Sequence, residues 1–94
     1  MTYEITPYTY RQAKKLGVIV FPSENPKYKI DIYEGDNGVY LFSVGSKNYK
    51  DYQIYVKERG IEYAKERRRL YRIRHKKDMS VKGSRGYYAS KLLW

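Results

Sequence analysis

The chain has no cysteine and a single histidine, His75. The first absence rules out disulfide staples, on which small secreted domains often depend, and rules out any thiolate metal site. A reducing intracellular setting, or a particle assembled in one, is therefore expected. One histidine cannot build a multi-histidine site. Long apolar runs are also lacking. The longest, Val18-Ile19-Val20-Phe21, is far too short to cross a bilayer. The opening stretch MTYEITPYTYRQ holds no apolar segment of the signal-peptide kind. No membrane partner, cofactor or metal is expected.

Acids are scarce where bases are dense. Residues 1–64 carry nine Lys/Arg against eight Asp/Glu, whereas residues 65–94 carry eleven against only Glu66 and Asp78. Nearly all of the net charge of +10 lies in the last third of the 94 residues. Charge segregated in this way points to a polyanion or to an acidic protein face. Thirteen tyrosines are spread along the chain, and tyrosine, with an apolar body and a polar tip, suits half-buried positions and contact surfaces.

The length is that of a single domain, 1–94. Thr6-Pro7 can open a helix over 8–16, with Lys14 and Lys15 in its last turn and Gly17 ending it in a left-handed conformation. Val18 to Phe21 reads as a short buried strand ended by Pro22. Lys29 to Tyr33 alternates, with Ile30 and Ile32 on one face and Lys29, Asp31 and Tyr33 on the other. The turn-forming run Glu34-Gly35-Asp36-Asn37-Gly38 then leads to a returning strand, Val39 to Val44, with Gly45 marking its end. Asp51 can cap a helix over 52–59, and Gly60 either breaks or kinks the helical run that follows, a break being the expectation. Ile61 to about Lys77 is the longest helical pattern. Asp78 to Gly86 reads as a basic loop and Tyr87 to Trp94 as a short docking helix. The fold class expected is α+β: a small antiparallel sheet, made of a hairpin plus one short strand, packed against helices that include one long basic helix.

On a wheel of 3.6 residues per turn, Lys65, Arg69, Arg72 and Lys76 share a narrow arc, flanked by Arg68. Ile61, Tyr63, Ala64, Leu70, Tyr71 and Ile73 are expected on the opposite, apolar side, with Arg67 and Arg74 projecting from within it toward internal partners such as Asp31, Glu34, Asp51 or tyrosine rings. Like charges four residues apart repel by a few tenths of a kcal/mol. A row of cations without acids therefore suggests neutralisation from outside. Lys77, Lys82 and Arg85 extend the basic surface.

No catalytic constellation emerges. Arg72-Ile73-Arg74-His75 lacks the several Arg and His residues of a phosphoryl-transfer site. The acids Asp31, Glu34, Asp36 and Asp51 sit where turns and caps need them. Lys82-Gly83-Ser84-Arg85-Gly86 falls short of a phosphate-loop pattern, and Ser84 is placed to cap the last helix. The expected function is non-enzymatic binding of DNA or RNA through phosphates. Lys65, Arg68, Arg69, Arg72, Lys76, Lys77, Lys82 and Arg85 would supply the contacts, largely without regard to sequence. The alternative is a structural protein whose basic face meets an acidic protein surface.

Several segments together carry a resemblance. They are Thr-Pro-Tyr-Thr-Tyr-Arg-Gln-Ala-Lys-Lys-Leu-Gly-Val at 6–18, Tyr49-Lys50-Asp51-Tyr52, Tyr63-Ala64-Lys65-Glu66-Arg67-Arg68-Arg69-Leu70-Tyr71, Arg74-His75-Lys76-Lys77-Asp78, Gly83-Ser84-Arg85-Gly86-Tyr87-Tyr88-Ala89 and Leu92-Leu93-Trp94. Taken jointly, over almost the whole length, the chain resembles a family of short proteins encoded by large double-stranded DNA viruses of algae and protists. The resemblance implies a viral origin and a host-cytoplasm or virion setting, and it implies no activity; in that setting the alternative reading becomes a minor capsid or cement protein whose basic face meets an acidic viral protein.

Overall fold

In the computed structural model residues 3–94 are described, and the chain divides into a first unit ending at Tyr49 and a second running from Lys50 to Trp94. The fold is α+β, with a three-stranded antiparallel sheet and five helices among the described residues.

The first unit opens with α1 (Pro7–Leu16). The Thr6 hydroxyl accepts the Thr9 backbone N–H at 3.4 Å, and Pro7 occupies a first-turn position where its missing N–H is no loss. Gly17, at φ 72°, takes the left-handed conformation that ends the helix, and its N–H bonds back to the Lys14 carbonyl. The chain then enters β1 (Val18–Pro22), β2 (Tyr28–Glu34) and β3 (Tyr40–Ser46), which lie in the order β1-β2-β3. α1 packs on β1. The β2–β3 turn is closed by a 2.8 Å bond from the Glu34 N–H to the Val39 carbonyl, and the Asn37 side-chain oxygen accepts the Val39 N–H. The Gly35 N–H reaches the Gly17 carbonyl at 3.0 Å, an approach so close that a Cβ at Gly35 would collide with that oxygen.

Val18, Val20, Ile30, Ile32 and Val44 form the buried aliphatic set of the sheet. Three details depart from the sequence reading. β1 is buried on one face only: Val18 and Val20 point inward, whereas Ile19 and Phe21 are exposed, because an antiparallel sheet needs only one covered face. Pro22 pairs with Ile30 as the last residue of β1, which is tolerated because β1 is an edge strand. Gly45 does not end β3, which continues to Ser46 opposite Tyr28. The register slips between Ile32 and Tyr33, so that Ile32 faces Phe42 and Tyr33 faces Tyr40. Lys29, placed by its alternation on the polar face, is 3% exposed, with its ammonium 5.4 Å from the centre of the Tyr3 ring.

In the second unit Asp51 caps α2 (Tyr52–Arg59) by accepting the Ile54 N–H at 3.0 Å. Gly60, at φ 91° and ψ 164°, breaks rather than kinks the helical run, and α3 (Ile61–Arg74) starts immediately after it. The long helix is shorter than its sequence pattern. His75 leaves helical geometry at φ −107° and ψ 22°, and Lys76–Ser80 forms a separate short helix, α4. α5 (Arg85–Leu93) follows, with the Ser84 hydroxyl accepting the Tyr87 N–H at 3.2 Å. Part of the expected basic loop is therefore helical on both sides of a short turn.

α2 packs on α3. The apolar side of α3 is narrower than the wheel suggests: Ala64 is buried and Tyr63 and Tyr71 are half-buried, but Ile61 (52%), Leu70 and Ile73 (61%) are exposed. Rings do much of the packing in their place. Tyr63, Tyr55, Trp94, Tyr71 and His75 form a column, with neighbouring centroids 5.6, 6.1, 4.4 and 4.3 Å apart.

Candidate nucleic-acid interface

The site begins with α3, whose sequence places cations three and four residues apart and therefore on one flank. Lys65, Arg68, Arg69, Arg72 and Ile73 of α3, with Lys76 of α4, line a shallow recess of about 450 Å³. The arc read from the wheel survives the break at His75. Lys76 still lines the recess although it belongs to the next helix.

The cations are not equivalent. Arg69 forms a two-point pair with Glu66 through Nε at 3.1 Å and through Nη2. The pair holds the Glu66 carboxyl below its usual range and raises the Arg69 guanidinium further. Arg68 is half-buried. Its guanidinium lies 4.0 Å from the centre of the Tyr52 ring, and Nη1 donates to the Trp94 carbonyl at 3.4 Å. Arg68 thus serves mainly as packing, a planar cation against a ring. Lys65, Arg72 and Lys76 are exposed, and no ion pair among the described residues reaches them.

The remaining predicted contacts lie elsewhere. Lys77 is on α4, Lys82 is in the turn before Ser84, and Arg85 is the first residue of α5; all three are exposed and none lines the recess. Lys77 lies about a third of a turn from Lys76 and so falls outside the arc by helical spacing alone. The His75 ring stacks on Tyr71 and its Nδ1 lies 3.2 Å from Asp78 Oδ2, an arrangement that holds α4 in its own direction. The sequence carries no Gly or Pro at 74–76 to signal this turn.

Of the internal partners expected for Arg67 and Arg74, a tyrosine ring meets Arg67, and neither arginine forms an ion pair among the described residues. Arg67 lies 5.4 Å over the Tyr55 ring and Arg74 is exposed. The acids proposed as their partners have other tasks: Asp31 accepts from the Ser43 hydroxyl at 2.6 Å, and Asp51 caps α2. No group of three or more His, Cys, Asp or Glu among the described residues is placed to hold a metal ion. No helix among them is long and apolar enough to cross a membrane.

The recess therefore presents open ammonium and guanidinium groups on aliphatic stems, with the exposed Ile73 among them. Such a surface attracts anions and offers no nucleophile paired with a base. The ring column escaped the sequence reading because Trp94 joins it from 23 residues beyond Tyr71. Only the i, i+4 spacing of Tyr71 and His75 gave a local hint. Comparison with protein-family models, with curated proteins and with solved structures found no match.

Proposed function

We propose that the protein binds nucleic acid without catalysis, gripping the phosphate backbone through the cationic flank of α3 and the start of α4. The observation that supports this most is the trio Lys65, Arg72 and Lys76, exposed, unanswered by acids among the described residues and lining one recess. Cations arranged along a helix flank neutralise phosphates and release counterions, whatever the base sequence. Arg69 joins them by exchanging Glu66 for a phosphate, and Lys77, Lys82 and Arg85 add charge outside the recess. The viral resemblance sets this activity in a host cytoplasm or a virion.

The test is affinity for random-sequence duplex DNA, by fluorescence anisotropy, across a salt series. With about three phosphates neutralised, affinity should fall roughly 40-fold between 50 and 200 mM salt. Arg72→Glu should weaken binding equally for every sequence and flatten the salt dependence. Arg69→Glu should do less, because Arg69 is already answered by Glu66. Glu66→Gln should strengthen binding by freeing Arg69. A flat salt response, or no binding at low salt, would remove the proposal.

A second reading, a basic face docked on an acidic viral protein, is favoured by one feature. Ile61 and Ile73 are exposed on the helix that carries the cations, and apolar side chains beside charges suit a protein interface. Retention on capsid shells after nuclease treatment would select it.

A further inference from the structure

The outer face of the sheet in the first unit is aromatic where a solvated sheet is ordinarily polar. Strand register brings Ile19, Tyr33 and Tyr40 into one row across β1, β2 and β3, with Phe21 beside them. Phe21 packs edge-on to Tyr33 with centroids 5.7 Å apart, and Tyr33 packs edge-on to Tyr40 at 5.6 Å. Phe21 (53%) and Tyr40 (52%) remain about half exposed. Tyr40 is further fixed by a 2.6 Å hydrogen bond between its hydroxyl and Ser43, which in turn donates to Asp31. These rings are held in place by the sheet and by one another, yet they are open to solvent.

We infer that this sheet face stacks the unpaired bases of a single-stranded nucleic acid. Positioned, half-exposed aromatic rings suit nucleobases, because every base offers a π-face once it leaves a duplex stack. A duplex keeps those faces covered and cannot use the rings. The ligand class follows from charge. The first unit holds six Lys/Arg against five Asp/Glu, too even a balance to retain a polyanion by itself. The attraction comes from the net charge of the chain as a whole, +10. The inference therefore rests on the phosphate-binding reading above and narrows its ligand from nucleic acid in general to single strands. Asp31, next to the rings and bonded to Ser43, adds an acceptor suited to the amino groups of bases.

The experiment uses the full chain, labelled oligothymidylate and a labelled random duplex at one salt concentration. The double variant Phe21→Ala, Tyr40→Ala should lose about 10- to 100-fold in oligothymidylate affinity while duplex affinity stays within about twofold. Phe21→Leu with Tyr40→Leu, which keeps apolar bulk but removes the π-faces, should lose nearly as much. Phe21→Tyr should bind like the parent. Circular dichroism checks that each variant is folded, and the leucine variant keeps the test decisive where the alanine variant fails to fold. If both double variants retain oligothymidylate affinity, the inference is overturned and the phosphate reading stands. If the parent binds neither ligand, both fall. If the double variants change the sedimentation mass but not affinity, the face joins copies of the chain, and the inference is likewise overturned.

Discussion

The two units of the chain solve the problem of a small core in different ways. The near-neutral first unit relies on strand pairing over a buried aliphatic set that includes Ile30, Ile32 and Val44. The basic second unit has few buried aliphatic side chains on α2 and α3, and it turns some of its cations into packing. Arg59 lies over Tyr63, Arg67 over Tyr55 and Arg68 over Tyr52. Charge counted along a sequence therefore overstates the charge offered to a partner. Of the five cations on α3 from Lys65 to Arg72, two rest on rings and Arg69 on Glu66, which leaves Lys65 and Arg72 open, joined by Lys76.

The largest effect is expected where the aliphatic set is cut. Ile32, at 0% exposure, should cost about 2–5 kcal/mol when replaced by alanine, from lost burial and the cavity left behind. Urea unfolding measures the total, and amide exchange in β1–β3 shows where it falls. The second unit has no comparable side chain on α3 to truncate, because its buried residue there is Ala64. Its aliphatic counterpart is Leu92 of α5, also 0% exposed, and on the α2–α3 pair the group to truncate is the buried cap Asp51. Asp51→Ala leaves the Ile54 N–H without its acceptor and should cost about 0.5–2 kcal/mol. A larger loss for Asp51→Ala than for Ile32→Ala would break the contrast between the sheet and the α2–α3 pair.

A smaller effect isolates the packing role of arginine. Arg68→Lys keeps the charge but loses the flat stack on Tyr52 and the bond to the Trp94 carbonyl. The expected loss is about 0.5–1 kcal/mol, with a change in the emission of Trp94, the single tryptophan. Lysine equal to arginine in both measurements would mean that Arg68 acts only as a surface charge.

Features set by neighbouring residues were legible in the sequence. The Thr6, Asp51 and Ser84 caps, the Gly17 and Gly60 stops and the hairpin at 34–38 all depend on side chains within a few positions of the bond they make. The cationic arc was legible for the same reason, since helical spacing fixes it. The misses depend on distance along the chain. The helix break at His75 is held by stacking and by Asp78 rather than by Gly or Pro. The exposure of Ile61 and Ile73 reflects how little surface packs against α3, which no wheel can show. The ring row on the sheet required the register of three strands, including the slip at Ile32/Tyr33.

The smallest expected effect concerns Tyr71, which lies between Trp94 and His75 in the ring column. Its phenol is pushed above the ordinary tyrosine range, first by burial and then by the charge of Asp78, with Arg74 opposing. Below roughly pH 10 the phenol is neutral in both folded and unfolded chains, so the shift has no effect on stability. As pH rises through that value, the unfolded chain ionises first and binds fewer protons than the folded one, and stability falls until the folded phenol ionises as well. Tyr71→Phe removes this contribution and should shift the alkaline unfolding midpoint, followed by Trp94 emission, to higher pH while keeping the stack on Trp94. An unchanged or lower midpoint would mean that Tyr71 ionises as freely when folded as when unfolded. The column would then be open to water, and the contrast between an aliphatic unit and a ring-packed one would lose its second half.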